Sequence, residues 1–293
     1  MTISFLPILM VVAVGTLYGV FDLLRKRMTG AMPAAAMLVW LALGQVPLFA
    51  LLVWREESFS VVAGYWIPGL VTILLNIVAN IALLRALQVA ALGVTIPLLS
   101  LTPAFATLLS IRVLGELPST LQMTGILLVV AGAFALNFDA GEGASPLGVW
   151  RSLVREKGSL LMILVALCWS VTPAFDKLAV AASGVYTHGL LLNGGVGLGA
   201  LLWLLLKGEG ATLEPRRAVG GLLALSVLIG FVALVLLLKA YTLAWIGMVE
   251  TIRRAVNTGW ALVFGRWFFG ERIRTAQIVA VVLMTVGVAL LFF

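Results

Sequence analysis

The stretch that decides the fold is WIGMVETIRRAVNTGWALVFGRW, residues 245–267, an apolar run long enough to cross a bilayer. Near its middle it carries Glu250, Arg253, Arg254 and Asn257. At about 100° per residue in a helix these side chains fall on one side, and the opposite side is wholly apolar. A charge at the centre of a membrane costs at least about 2.5–3.5 kcal/mol, so it is normally paired or lines a polar cavity. The run therefore predicts a membrane helix with one face on a substrate cavity.

The composition is typical of an integral membrane protein. The 293 residues are 62% hydrophobic and only 11% charged, whereas soluble domains carry about a quarter charged residues. The net charge of +7 lies mainly in the loops between apolar runs, where it predicts orientation in the membrane and no binding of nucleic acid. The single cysteine, Cys168, lies in an apolar run, which excludes a disulfide framework and a cysteine metal site.

Ten apolar runs are long enough to span a bilayer, which predicts an all-α integral membrane protein with ten transmembrane helices. The first run starts almost at Met1 with no basic residue before it, so it predicts a membrane helix and not a cleaved signal. Residues 146–156 place apolar side chains at helical spacing around Arg151 and Arg155, which predicts an interfacial helix. The ten runs are 4–25, 33–54, 64–87, 92–113, 119–138, 158–178, 185–206, 218–241, 246–268 and 274–293.

The two halves of the chain are related by a repeat of five runs. Dispersed residues recur at a constant spacing that grows by one after an inserted residue; Asp22 matches Asp176, and Gly115-Glu116 matches Gly270-Glu271. Because five is odd, the halves must lie inverted across the membrane, as in many secondary transporters. We predict a first repeat at 1–138, a connection at 139–157 and a second repeat at 158–293.

The repeated motifs resemble the EamA family of the drug/metabolite transporter superfamily. The similarity is carried by Leu101-Thr102-Pro103, by Gly115-Glu116 and Gly270-Glu271, and by the glycine-punctuated helix from Gly125 to Asn137. The resemblance implies alternating access and a central cavity lined by the first four helices of each half, with the fifth and tenth helices outside it. The Arg253-Arg254 pair departs from the repeat, because the matching positions of the first half hold no cation.

The orientation in the membrane is predicted differently by charge and by family. Loops after odd-numbered runs, among them Arg25-Lys26-Arg27, carry many more cations than loops after even-numbered runs. The positive-inside rule then predicts both termini outside the cytoplasm, whereas the resemblance implies both termini inside it. We adopt the charge-based orientation as the prediction. We expect the membrane to be the inner (plasma) membrane of a bacterium.

The charged face of residues 245–267 predicts an anion-binding wall. Glu250 lies one turn before Arg254 and can neutralise only one arginine, and a remaining guanidinium suits a carboxylate or phosphate. The alternative is a structural ion cluster, or arginines that reach towards the nearer membrane surface. The predicted substrate-binding residues are Arg253, Arg254, Glu250, Asn257, Asn80, Asn76 and Trp169.

The repeat-related Asp22 and Asp176 are the second candidate site. Arg85 and Lys239 end the third run of each half, so antiparallel threading places Asp22 beside Arg85 and Asp176 beside Lys239. Each pair is a candidate gate or proton-coupling site. The alternative is an ordinary salt bridge at a helix end, worth about 0–1 kcal/mol when exposed. His188 is the only histidine, and its place near an interface predicts a structural role.

These patterns predict a secondary transporter of a small polar or anionic organic metabolite, with a proton as the candidate coupling ion on Glu250, Asp22 or Asp176. The alternative is a flippase for a phosphate-bearing lipid carrier. An enzyme is not expected, because no nucleophile has a partner base, and we predict no cofactor and no metal. The expected partners are the substrate and membrane lipids. We expect a monomer, because the internal duplication already supplies a two-fold relation.

Overall fold

The computed structural model describes residues 5–56, 59–89, 99, 102–135, 157–208, 210–213, 219–270 and 275–291. Within these ranges the regular structure is entirely helical. Two short 3-10 helices lie at Ala63–Tyr65 and Gly210–Leu213. The α-helices are α1 Phe5–Met28, α2 Ala34–Leu43, α3 Val46–Arg55, α4 Trp66–Val89, α5 Thr102–Leu114, α6 Thr120–Ala135, α7 Lys157–Ser183, α8 Val185–Leu206, α9 Gly220–Leu243, α10 Ile246–Phe269 and α11 Thr275–Leu290.

Six helical spans of the described chain are long and apolar enough to cross a membrane. α5, α6 and α11 are apolar but shorter, and α10 carries four charged residues. Each of the ten predicted runs overlaps at least one of these helices. The interfacial helix predicted at 146–156 lies outside the described residues. The six spans are Leu6–Met28, Ala34–Arg55, Ala63–Val89, Lys157–Ser183, Val185–Leu206 and Gly220–Leu243.

The second predicted run is not one continuous helix, because Gly44 and Gln45 separate α2 from α3. Pro47 lies in the first turn of α3 and has no N–H, so it cannot continue the hydrogen-bond ladder back to Leu43. Gln45 is buried at the break and donates from Nε2 to the carbonyl of Leu41 at 2.8 Å. The break therefore brings an amide into the interior of the molecule.

Repeat-related helices make matching contacts. α4 packs along α7 as α1 packs along α9, and α7 packs along α5 as α1 packs along α10. Two further contacts join a span to its own counterpart in the other repeat, since the α2–α3 span packs on α8 and α6 packs on α11. A two-fold relation between the halves produces this arrangement.

The helices that contact their own counterparts cross antiparallel. Between α6 and α11, a Cβ added at Gly132 would lie 2.8 Å from the carbonyl oxygen of Ala280, and Gly125 lies against Gly287. Residue numbers therefore rise along α6 while they fall along α11. Absence of side chains at these glycines lets the two backbones approach closely. The same reversed order holds between α8 and the α2–α3 span.

The first copy of the Gly-Glu motif holds the start of α10. Gly115 has a φ of +70°, which favours glycine and turns the chain at the end of α5. The next residue, Glu116, accepts the backbone N–H of Ile246 on Oε2 at 2.8 Å and the ammonium of Lys177 on Oε1 at 2.6 Å. Lys177 also donates to the carbonyl of Ala244 at 3.1 Å. A carboxylate at a helix N-terminus is favourable, so the motif anchors α10 against α7.

Candidate functional site

A central cavity of about 120 Å³ lies between the two halves. Its walls come from α1, α2, α4, α7, α8, α9 and α10, and within the described ranges no residue of α5, α6 or α11 lines it. Most of the side chains that line the cavity are polar or aromatic. The polar and aromatic lining residues are Tyr18, Phe21, Asp22, Arg25, Gln45, Asn76, Asn80, Trp169, Thr172, Asp176, Asn193, Tyr241, Arg253, Arg254 and Asn257.

Glu250 is fully buried behind the cavity wall and is bonded to Arg253. Arg253 Nη2 donates to Glu250 Oε1 at 2.7 Å and to Oε2 at 2.5 Å. The hydroxyl of Tyr241 donates to Oε1 at 2.7 Å, and the Arg253 guanidinium lies 5.3 Å from the centre of the Tyr18 ring. A buried carboxylate needs a charged partner and hydrogen bonds of this kind. Arg253 is therefore already engaged within the protein.

Arg254 differs from its neighbour, although it is only 3% exposed. Glu250 Oε2 lies 3.8 Å from Arg254 Nε, beyond hydrogen-bond distance. Among the described residues, Nε and Nη2 of Arg254 have no hydrogen-bond partner. These two donors form the guanidinium edge that binds a carboxylate or phosphate through parallel hydrogen bonds. The guanidinium carbon lies 5.1 Å from the centre of the Trp169 ring, a cation–π contact that fixes its position.

Asp22 lies inside the cavity and joins three helices. Arg25 Nη1 donates to Asp22 Oδ1 at 3.3 Å, and Asn257 Nδ2 donates to Oδ2 at 3.1 Å. Arg25 Nη2 also donates to the side-chain oxygen of Asn80 at 3.2 Å. This network connects α1, α4 and α10 on one wall of the cavity.

The amides of α4 connect this wall to Trp169. Asn80 Nδ2 donates to the backbone carbonyl of Asn76 at 2.9 Å, and the side-chain oxygen of Asn76 accepts the indole N–H of Trp169 at 3.1 Å. The structure therefore brings the predicted residues Asn76, Asn80, Trp169 and Asn257 around one cavity. Most of their amide and indole groups are already hydrogen-bonded, either to each other or to Asp22, Arg25 and the carbonyl of Thr72.

The ion pairs predicted for the two aspartates are not those of the structure. Asp22 pairs with Arg25, which lies three residues further on the same helix face, and not with Arg85, which is exposed. Asp176 does not pair with Lys239, whose ammonium lies 5.1 Å from the centre of a tyrosine ring of α8. Both aspartates line the central cavity instead of closing its two ends. The two predicted ion pairs are therefore corrected, and a gating role for these residues stays a prediction.

Asp176 pairs with the only histidine of the chain. Asp176 Oδ1 lies 3.1 Å from His188 Nε2, and His188 Nδ1 lies 3.2 Å from the hydroxyl of Tyr65. His188 has no exposed surface, and Tyr65 and Asp176 are also buried. The sequence predicted a structural role for His188 and no role for Tyr65. Neither spacing nor hydropathy could indicate this chain of groups, because three separate helices supply them.

Two further groups of the site were missed by the sequence. Arg25 was counted as a loop cation, yet it is buried in α1 and lines the cavity. Its spacing of three residues from Asp22 was the available signal. Tyr241 was not singled out, because its bond to Glu250 depends on the turn between α9 and α10.

The charges in and behind the cavity wall balance. Arg25 pairs with Asp22 and Arg253 pairs with Glu250. Arg254 lies 3.8 Å from the already paired Glu250, and Asp176 lies against the imidazole of His188. Within the described part of the chain, no group of His, Cys, Asp and Glu side chains is arranged to hold a metal ion. The charged set comprises Asp22, Asp176 and Glu250 on one side and Arg25, Arg253 and Arg254 on the other.

A second concave surface is almost wholly apolar. It has a volume of about 360 Å³ and lies between α3, α4 and α8. Tyr65 belongs to its lining, so the same residue that contacts His188 on one side borders this groove on the other. The groove lining consists of Val46, Tyr65, Trp66, Leu70, Ile73, Leu190, Leu191, Gly194, Gly195 and Leu198.

A polar cavity enclosed by two packed repeats of apolar helices defines an integral membrane transport protein. The chain belongs to the EamA-like transporter family, whose model matches residues 5–138 and 156–293. A crystal structure titled only as that of a protein is similar in fold, with a TM-score of 0.69 and 18% sequence identity over 97% of this chain and 95% of its own. No curated protein matches the sequence.

Proposed function

We propose that the chain is a secondary transporter that carries a small anionic or polar organic metabolite by alternating access. Arg254, which lines the central cavity and has two buried donors without a hydrogen-bond partner among the described residues, carries this proposal. Two aligned donors that are buried but not hydrogen-bonded are costly unless a ligand satisfies them. A carboxylate or a phosphate has the geometry to do so, with Asn257, Asn80, Asn76 and Trp169 forming the surrounding wall.

Ten spans in two inverted repeats are the architecture that fits this function. The antiparallel crossing of α6 with α11, and of the α2–α3 span with α8, is what inversion of the repeats requires. Two structurally related halves around one polar site favour two facing states of similar energy. The proposed location is the inner membrane of a bacterium, with the single chain as the transport unit. We propose no catalytic activity.

Thermal unfolding of the purified protein against a panel of ligands tests the proposal. The panel contains pyruvate, lactate, benzoate, methanesulfonate and glycerol 3-phosphate as soluble anions. At least one of them is expected to raise Tm in the wild type and not in Arg254→Gln. Lys207→Gln, which removes an exposed cation at the end of α8, is the matched control and should keep the response. Equal responses in the wild type and Arg254→Gln would contradict the assignment of the site.

The apolar groove between α3, α4 and α8 favours a second candidate, a flippase for a phosphate-bearing lipid carrier. In that function the phosphate would bind Arg254 while an acyl or prenyl chain occupied the groove. Short-chain phosphatidic acid, added to the same panel, distinguishes the two. Stabilisation by this lipid alone, lost in Arg254→Gln, would favour the flippase, whereas stabilisation by soluble anions supports the transporter of small metabolites.

A further inference from the structure

Asp176, His188 and Tyr65 form a buried line of hydrogen-bonding groups that starts at the cavity. Asp176 lines the cavity, His188 lies behind it, and Tyr65 ends the line where the 3-10 helix meets α4. The two separations along the line are 3.1 Å and 3.2 Å. The line is held at its outer end by the backbone, because the N–H of Val62 donates to the carbonyl of Ala182 at 3.2 Å. Three groups that each bind or release a proton are therefore placed in sequence.

The geometry keeps both ring nitrogens of His188 hydrogen-bonded in two protonation states. When His188 is neutral, Nε2–H donates to the Asp176 carboxylate and Nδ1 accepts the hydroxyl proton of Tyr65. When His188 is protonated, Nδ1–H donates to the Tyr65 oxygen and only the hydroxyl hydrogen has to rotate. Both ring nitrogens of His188 therefore keep a partner in either state. A histidine so placed can gain or lose a proton without rearrangement of side chains.

The repeat-related site in the first half lacks this property. Asp22 pairs with Arg25, and a guanidinium stays protonated at any physiological pH. Asp176 pairs instead with an imidazole, the side chain that titrates near neutral pH. The two halves therefore present a fixed ion pair on one side of the cavity and an exchangeable proton on the other.

Several titratable and charged groups of the cavity lie near the Asp176–His188 pair, so its charge affects the charge of the cavity. Tyr18 from α1 and Tyr241 from α9 are close enough to Asp176 to interact with it electrostatically. Arg253 and Arg254 from α10 line the same cavity. Two further cations of these helices and α9 have contacts elsewhere, with Lys177 on Glu116 and Lys239 on a tyrosine ring.

With three acidic and three basic groups ionised and His188 neutral, the cavity carries no net charge. One added proton gives it a charge of +1, which favours an anion in a site of low dielectric constant. We propose that Asp176, His188 and Tyr65 are the proton site of the transporter, and that uptake of one proton on this line accompanies binding of the anion at Arg254. The inference rests on the proposed function and names its coupling ion.

The first experiment observes the proton directly. Because the chain contains a single histidine, protein labelled with ¹⁵N-histidine gives the imidazole signals of His188 alone. The wild type is expected to titrate between pH 5 and pH 9, with the Nε2–H tautomer at the upper end. The pH at which the signals change should differ in Asp176→Asn, which removes the carboxylate beside Nε2, and stay in place in Lys207→Gln. An imidazole that keeps one protonation state from pH 5 to pH 9 would overturn the proposal.

The second experiment observes the coupling. Affinity for the soluble anions that stay ionised from pH 5.5 to pH 8.5, namely pyruvate, lactate, benzoate and methanesulfonate, is measured across that range. If one proton accompanies binding, affinity falls by about tenfold per pH unit above the midpoint. In Asp176→Asn, which imitates the protonated carboxyl, affinity should stay near the wild-type value at low pH throughout. Lys207→Gln should keep the wild-type pH dependence.

The two experiments separate failure of the inference from failure of the proposed function. An anion that binds through Arg254 with the same affinity at every pH overturns proton coupling and leaves the transporter assignment standing. If no anion binds at any pH, the anionic substrate is contradicted, and the ¹⁵N titration alone then supports or overturns the proton site.

Discussion

Arg253 and Arg254 follow one another in α10, yet their guanidinium groups have different surroundings. Arg253 binds both oxygens of Glu250, whereas Arg254 approaches the same carboxylate only at 3.8 Å. The rotation between successive residues of a helix is enough to give one arginine a structural bond and leave the other facing a possible ligand. The two positions should therefore respond differently to substitution.

Loss of Arg253 should reduce stability. Arg253→Ala leaves Glu250 buried with the Tyr241 hydroxyl and a distant Arg254 as its remaining partners, and breaking a buried ion pair costs about 3–5 kcal/mol. The expected result is a lower midpoint in chemical denaturation. The double variant Arg253→Met with Glu250→Gln removes both charges and should recover much of the loss. Unchanged stability of Arg253→Ala would contradict the structural role of this pair.

Loss of Arg254 should reduce binding instead. Arg254→Gln removes two charge-assisted donors that the protein itself does not use, and such hydrogen bonds are worth about 1.5–3 kcal/mol. Affinity for a stabilising anion should therefore fall by about tenfold or more. The stability without ligand should change little, which distinguishes this variant from Arg253→Ala. Isothermal titration calorimetry measures the affinity.

At this scale the sequence predicted positions better than partners. Helical spacing placed Glu250, Arg253, Arg254 and Asn257 on one face, and all four are buried at or behind the cavity wall. Apart from the Glu250–Arg253 pair within α10, the partners of these residues come from other helices, and their approach depends on turns that periodicity does not describe. The connection of Asp176 to His188 is of this kind, since it crosses the turn between α7 and α8.

Among the elements, α6 and α11 form a pair that depends on small residues. Gly132→Ala would place a Cβ 2.8 Å from the carbonyl oxygen of Ala280, a backbone atom that cannot easily move. Overpacking of this kind costs about 1–3 kcal/mol, so Tm should fall. Because no described residue of α6 or α11 lines the cavity, anion affinity should be unchanged. Gly259→Ala, where a Cβ would meet nothing within 4 Å, is the control and should not destabilise the protein.

The start of α10 provides a second test at the scale of an element. Glu116→Ala removes the carboxylate that accepts the N–H of Ile246 and the ammonium of Lys177. Loss of a capping group of this type costs about 0.5–2 kcal/mol. Tm should fall, and hydrogen exchange at the first turn of α10 should become faster. Glu56→Ala, at an exposed acidic residue after α3, should change neither measurement.

Hydropathy located the elements but not their irregularities. A helix lies in each predicted run, because apolar length is the dominant requirement for a helix in a bilayer. The interruption between α2 and α3 was missed, although Gly44 and Pro47 are close enough together to have indicated it. Hydropathy averages the composition of a run, so a helix that is broken within an apolar run gives the same signal as a continuous one.

For the whole molecule, the repeat was recognised in the sequence because matching residues recur at a constant spacing. Its inversion follows from the odd number of spans in each half. The family match covers both halves, as the repeated Gly-Glu motif implied. The sequence did not predict how the two halves differ at the cavity. The repeat-related Asp22 and Asp176 have different partners, Arg25 and His188. Divergence at a few buried positions changes the chemistry of a site without changing the hydropathy on which a repeat is recognised.

The orientation of the whole chain is open to a direct measurement. The cation bias of the loops predicts both termini outside the cytoplasm, and it persists although Arg25 lies in the cavity and not in a loop. Tags at the two ends should therefore be accessible to an impermeant reagent in intact cells. A tag on a loop after an odd-numbered run, such as at Gly30, should be protected. Two protected termini would support the orientation that the family resemblance implied.

The crossing of α6 with α11 has a consequence for the order in which the protein is made. The ribosome releases α6 well before α11, because the four helices from α7 to α10 are synthesised between them. The glycine-rich side of α6 must therefore face lipid, or a chaperone in the membrane, until α11 has been inserted. The first half thus completes its packing only when a helix of the second half arrives.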